Sequence, residues 1–171
     1  MKNAENALNF YQVDNKIEHI EGKDGVMILP SDLAWNKFDW TRDYFIKKPK
    51  QGFFLWIQDN VEERLNTLVE IESKNVSQEM TNLIVIEKGL NIKLSSFCRS
   101  KKEVFGKHFA KAKIIIKENS TLDFLQGNSW KKNDQFTANY EFILERNAKF
   151  KTTITNHGSG ANIVTREDVY L

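Results

Sequence analysis

Four segments of this chain share one pattern, and their spacing constrains the fold more than any other feature of the sequence. They are Trp56-Ile57-Gln58-Asp59-Asn60-Val61, Val85-Ile86-Glu87-Lys88-Gly89-Leu90, Ile115-Ile116-Lys117-Glu118-Asn119-Ser120 and Ile143-Leu144-Glu145-Arg146-Asn147-Ala148. Each reads two apolar residues, two polar or charged ones, then Asn or Gly. The Asn/Gly positions 60, 89, 119 and 147 stand 29, 30 and 28 residues apart. Asn and Gly enter the left-handed backbone region most cheaply, so each segment predicts a tight turn with φ > 0. After three of the four, apolar alternation resumes (Ile92 and Leu94, Leu122 and Phe124, Phe150 and Thr152). One such turn per coil stacks equivalent strands about 4.8 Å apart and predicts a β-solenoid of 28–30 residues per repeat.

The first fifty residues have a different texture. Alternation at Phe10-Tyr11-Gln12-Val13 and Ile17-Glu18-His19-Ile20 predicts short strands, closed as a hairpin around Asp14-Asn15. Gly25-Val26-Met27-Ile28-Leu29 reads as a buried strand stopped by Pro30. Ser31 or Asp32 would then cap one short helix that turns Leu33, Phe38 and Tyr44/Phe45 inward and ends before Pro49. The expected organisation is therefore 1–50 as N-terminal strands and a capping helix, and 51–171 as coils, with the chain ending within a coil.

Composition excludes several classes. A 40% apolar, 12% aromatic chain of 171 residues carries a core and is not globally disordered. One cysteine, Cys98, cannot make an internal disulfide or a Cys-x-x-Cys zinc site, and it fits a reducing compartment. No apolar run is long enough to span a membrane as a helix, and Met1–Asn6 lacks the apolar stretch of a signal peptide. These features predict a cytoplasmic protein. Twenty-five basic against 23 acidic residues give no reason to invoke nucleic acid or a membrane as partner.

An ordered series of segments carries a resemblance. It begins with Gly25–Leu29 and the helix through Tyr44-Phe45, and continues through Gly52-Phe53-Phe54-Leu55-Trp56-Ile57-Gln58-Asp59-Asn60-Val61. Asn75-Val76-Ser77-Gln78, Leu83–Gly89, Cys98, His108, Asn128-Ser129-Trp130, Tyr140-Glu141-Phe142-Ile143 and Glu145-Arg146-Asn147 follow in order. Over residues 25–171 the chain resembles the SufB/SufD family, the scaffold proteins of Suf iron–sulfur cluster assembly. The resemblance implies a right-handed parallel β-helix and a scaffold that is not itself an enzyme. It also implies a SufC-like ATPase and a SufB/SufD-type partner, in a homo- or hetero-dimer. A cluster would pass only transiently through the larger assembly, because one cysteine cannot hold a conventional site; no cofactor is expected in the isolated chain.

The same resemblance places Cys98 where SufB proteins carry a cysteine associated with accepting sulfur. Arg99, Lys101, Lys102, Lys107, Lys111 and Lys113 face a single Glu103 between positions 99 and 113, and nearby cations would stabilise a thiolate. Against that stand Phe97 in place of the family's glycine and Glu70-Ile71-Glu72 in place of basic and amide residues. Glu145 likewise stands where SufB tends to have lysine. His108, Asn128 and Trp130 are candidates to line an internal channel; for Trp130 the plain alternative is core packing, and a lone histidine such as His108 is more often a satisfied or exposed residue than a metal ligand. His157-Gly158-Ser159-Gly160 reads as an inter-coil loop or an anion-binding turn. Two other functions fit the residues: a β-solenoid or β-sandwich module binding ligand or protein through aromatic side chains, and a hexapeptide-type acyltransferase using His108. The 28–30-residue spacing is not the hexapeptide repeat. Inward-facing Trp56 and Trp130 would oppose the binding module.

Overall fold

The computed structural model of the protein describes residues 8–158 and 160–171. Among these residues twelve strands form two six-stranded sheets: β1 (Phe10–Val13), β2 (Lys16–Ile20), β3 (Val26–Pro30), β4 (Phe53–Ile57), β5 (Leu65–Ile71), β6 (Ser77–Ile86), β7 (Asn91–Ser100), β8 (Lys107–Ile116), β9 (Thr121–Trp130), β10 (Gln135–Leu144), β11 (Lys149–Gly158) and β12 (Asn162–Tyr170). The first sheet runs β11-β9-β7-β5-β1-β2 and the second β12-β10-β8-β6-β4-β3. Successive strands from β4 onward alternate between the sheets, and neighbours within each sheet are parallel. The result is a β-solenoid of about four turns. A sandwich of antiparallel hairpins is excluded by those parallel ladders.

Strand register reproduces the sequence repeat. Ile57 pairs with Ile86, Ile86 with Ile116, and Ile116 with Leu144. One residue earlier, Trp56, Val85, Ile115 and Ile143 form the neighbouring row. Alternation sends the first row into the solenoid, where Ile57, Ile86 and Ile116 are fully buried. The second row faces outward, under the N-terminal helical segment.

Three of the four predicted turns are left-handed. Gly89 has φ 74°, and Asn119 and Asn147 each have φ 60°. The Asn147 amide donates to the Asn119 side-chain oxygen at 3.0 Å, which extends the stacking into the turns. Asn60 differs. It is not in the left-handed region, because the first connection spans 58–64 and needs no tight reversal. Its Oδ1 instead accepts the Asn91 N–H at 2.9 Å. The opposite edge carries a second series, Asn75, Phe105, Asn133 and Gly160, at φ 60°, 54°, 67° and 79°.

The N-terminal hairpin forms as expected, with β1 antiparallel to β2 and Asp14 at φ 52° in the turn. β3 pairs antiparallel with β4. The helical segment is present near the N-terminus but divides into α1 (Ser31–Lys37), a 3₁₀ turn (Asp39–Thr41) and α2 (Arg42–Phe45). Phe38, extended at φ −127°, makes the break. Neither Ser31 nor Asp32 caps α1: Pro30 is the N-cap, and the Ser31 hydroxyl donates to Thr81 O at 2.7 Å across to β6. Leu33 is 50% exposed rather than inward, and Ala34 takes the buried position. Phe38 and Trp40 pack on Phe54 and Trp56 with ring centroids 5.4–5.9 Å apart. This aromatic cluster covers the outer face of the second sheet around Phe54, Trp56, Leu83, Val85 and Ile115. Trp56 therefore faces out of the solenoid yet is covered. Among the described residues, no helix is long and apolar enough to cross a membrane.

Candidate functional site

The four sequence candidates converge on two adjacent layers of the solenoid interior, beside the edge that carries the second turn series. In β7 and β9, Cys98 lies directly opposite Asn128 in the parallel register. The Asn128 amide donates to Asn156 Oδ1 at 2.9 Å on the next strand. One layer toward the edge, His108 of β8 stacks on Phe136 at 5.4 Å and against Trp130 at 5.5 Å. All four candidates are buried.

The hydrogen bonds fix the state of His108. The Gln78 amide nitrogen donates to the carbonyls of Asp14 and Glu70, so its Oε1 is the acceptor facing the ring. His108 Nδ1 lies 2.8 Å from that oxygen and must carry the proton. Among the described residues, Nε2 is left with a lone pair and no partner, and the nearby Trp130 Nε1–H is also unpartnered. Burial pushes the His108 pKa down to about 4, so the ring is neutral at physiological pH. A neutral, apolar-stacked histidine is a packing element with one open acceptor.

Cys98 occupies an environment opposite to the one expected from its neighbours in sequence. Strand alternation turns Cys98 inward while Phe97 and Arg99 point outward. Burial pushes the thiol up to about 12. Lys107, Lys111 and Lys113 belong to β8 in the other sheet, where Lys113 lies 3.5 Å from Glu141. Arg99 and Lys101 spend their charge on Glu70, and Lys101 also pairs with Glu72 at 2.6 Å. The basic run is thus divided between two sheets and does not form a cation shell around the thiol. At pH 8, Cys98 in the native protein is expected to react with a disulfide reagent at least about a hundredfold more slowly than in urea, because the thiolate is the reacting form. Stopped-flow thiol titration measures this, and equal rates would show the thiol to be accessible.

Sequence reasoning missed the Glu70 cluster. Glu70 is buried, accepts hydrogen bonds from Tyr11 and Arg99, and lies 3.2 Å from Lys101 Nζ. Burial alone would raise its pKa, but the bonds from Tyr11, Arg99 and Lys101 outweigh burial and hold it below the ordinary carboxylate value. Tyr11 is pushed up to about 12, first by burial and then by its bond to the carboxylate. The signal was legible in principle: Glu70 and Arg99 stand one repeat apart, which the parallel register makes direct neighbours. Of the 157–160 segment, Gly158 closes β11 and Gly160 is left-handed, while Ser159 lies outside the described residues.

No protein-family model matches the chain. Among curated proteins it is similar to an iron–sulfur cluster assembly SufBD family protein of Archaeoglobus fulgidus. The two are 24% identical over 123 residues, which covers 63% of this chain and 33% of the relative. The chain therefore spans about a third of the length of that relative.

Proposed function

We propose that the protein is a scaffold or partner subunit of Suf-type iron–sulfur cluster assembly, acting by docking rather than by turnover of a substrate. One observation carries the reading: the similarity to the SufBD family protein lies on a chain that folds as a solenoid of 28–30 residues per coil. Its partners on this reading are a SufC-like ATPase and a SufB/SufD-type subunit in the cytoplasm, and iron and sulfur are cargo of the assembled complex. Cys98 then serves as an interior thiol. Passage of sulfur through it would require the solenoid wall to open, since ionisation is suppressed where the thiol sits.

Co-expression of the tagged chain with the Suf-type ATPase and SufB/SufD-type subunit of its own genome tests the proposal. Co-elution as a defined complex at micromolar concentration is the expected result. Failure to bind either subunit overturns the docking role. The binding-module reading has its own support in one outer-face groove, described next.

A further inference from the structure

We propose that a groove on the outer face of the first sheet is a binding site for a small amphipathic organic anion. The groove encloses about 630 Å³, within the usual range of small-molecule sites. Parallel register builds it from two cross-strand rows. Leu68, Phe97, Gly127 and Thr155 pair in sequence across β5, β7, β9 and β11. Two residues further along the same strands, Glu70, Arg99, Ser129 and His157 pair likewise. Residues two apart share a face, so the rows lie side by side about 7 Å apart. The first row is an apolar floor, extended by Leu8 and Tyr11 at one end. The second row is polar, with Arg99 as its exposed cation and Lys101 beside it.

Gly127 gives the Phe97 ring its place in the floor. A Cβ there would stand 2.3 Å from the Phe97 ring, so the ring lies over Gly127 and would have to shift for any larger residue. Phe97 remains 37% exposed, a large apolar surface left uncovered beside a charged row.

Charge selects the ligand. Glu70 is buried beneath the groove, with its oxygens already taken by Tyr11, Arg99 and Lys101. Lys101 also pairs with Glu72 at 2.6 Å, so the two cations balance two carboxylates and the group left to meet a ligand is the outer end of the Arg99 guanidinium. Arg99 uses only Nε in that contact, and among the described residues its terminal nitrogens have no partner while the side chain is 46% exposed. A planar guanidinium with free donors suits a carboxylate or sulfonate. The ligand that satisfies both rows has an aromatic or aliphatic body on Leu68 and Phe97 and one anionic group over Arg99, Ser129 and His157.

Fluorescence titration with 8-anilinonaphthalene-1-sulfonate, and with N-phenyl-1-naphthylamine as the same body without the sulfonate, tests this. The expected result is saturable one-to-one binding of the sulfonate, about tenfold tighter than the neutral analogue. Arg99→Gln and Phe97→Ala should each weaken it by about tenfold or more. Arg99→Gln also touches Glu70, so His157→Glu, which opposes the anion from an exposed position, provides a variant outside that cluster. Sulfonate binding that falls in His157→Glu at unchanged thermal stability supports the site. Equal affinity for both probes, non-saturable binding, or sulfonate affinity unchanged by both Arg99→Gln and His157→Glu overturns it.

Discussion

Acidification from pH 7.5 to pH 5 should lower stability by about 2 kcal/mol through His108 alone, and by about 3 kcal/mol once the effect is complete. The sign follows from the direction of the shift. Burial depresses the folded-state pKa to about 4, below the value of 6.5 for an unperturbed histidine. Between those values the unfolded chain binds a proton that the folded chain refuses, so unfolding becomes easier as pH falls. The contribution is fully present above pH 6.5, is lost progressively toward pH 4, and changes no further below that. Asp14, Glu70 and Glu87, whose pKa values are lowered, act in the same direction but only at lower pH, where carboxylates begin to protonate. The window between pH 6.5 and 5 therefore isolates His108. Urea unfolding at pH 7.5, 6.5, 5.5 and 5.0 on wild type and His108→Gln measures it. The variant should be less stable at pH 7.5 and show a flatter pH dependence. Parallel pH profiles would refute the assignment, as would a His108 ring resonance that titrates near 6.5.

That histidine shows where sequence was readable and where it was not. The coil length was legible because Asn and Gly mark left-handed turns, and Gly89, Asn119 and Asn147 adopt them. The matching series on the other edge is obscured in the sequence because Phe105 interrupts it. Phenylalanine at φ 54° runs against side-chain sterics, at a cost of about 1–2 kcal/mol, so no residue preference announces that turn. The fold brings the candidate residues into adjacent layers, Cys98 with Asn128 and His108 with Trp130. Their chemistry was not readable from linear neighbours. Strand alternation puts Arg99 on the face opposite Cys98, and its true partner, Glu70, lies a full coil away. In a solenoid the relevant neighbours of residue i are near i ± 29. Charge counted along a fifteen-residue window therefore mixes two faces and two sheets.

Asp134→Ala should cost about 3 kcal/mol, or about 10 °C in Tm for a chain of this length. Asp134 is 1% exposed and sits in the turn between β9 and β10. One carboxylate oxygen accepts the Gly106 N–H at 2.9 Å, from the turn one coil earlier. The other accepts the Ser100 hydroxyl and, at 3.1 Å, the Lys131 N–H. A single side chain thus joins the end of β7, the 101–106 connection and its own turn. Its backbone carbonyl accepts the Asn162 N–H at 3.0 Å and so reaches the start of β12. Alanine leaves the Gly106 donor buried without a partner and weakens the Lys131 and Ser100 contacts. The penalty comes from stranded donors rather than from lost bonds as such, since each unsatisfied buried group costs about 1–3 kcal/mol. Asparagine separates the two contributions. Its amide oxygen can keep the Gly106 bond, while its NH₂ group faces the Lys131 N–H, donor against donor, so Asp134→Asn should lose about half as much. Thermal unfolding by circular dichroism gives the ranking, and hydrogen exchange at the Gly106 amide locates the damage. Wild-type protection of that amide in Asp134→Ala would mean that backbone stacking holds this edge of the solenoid without the carboxylate.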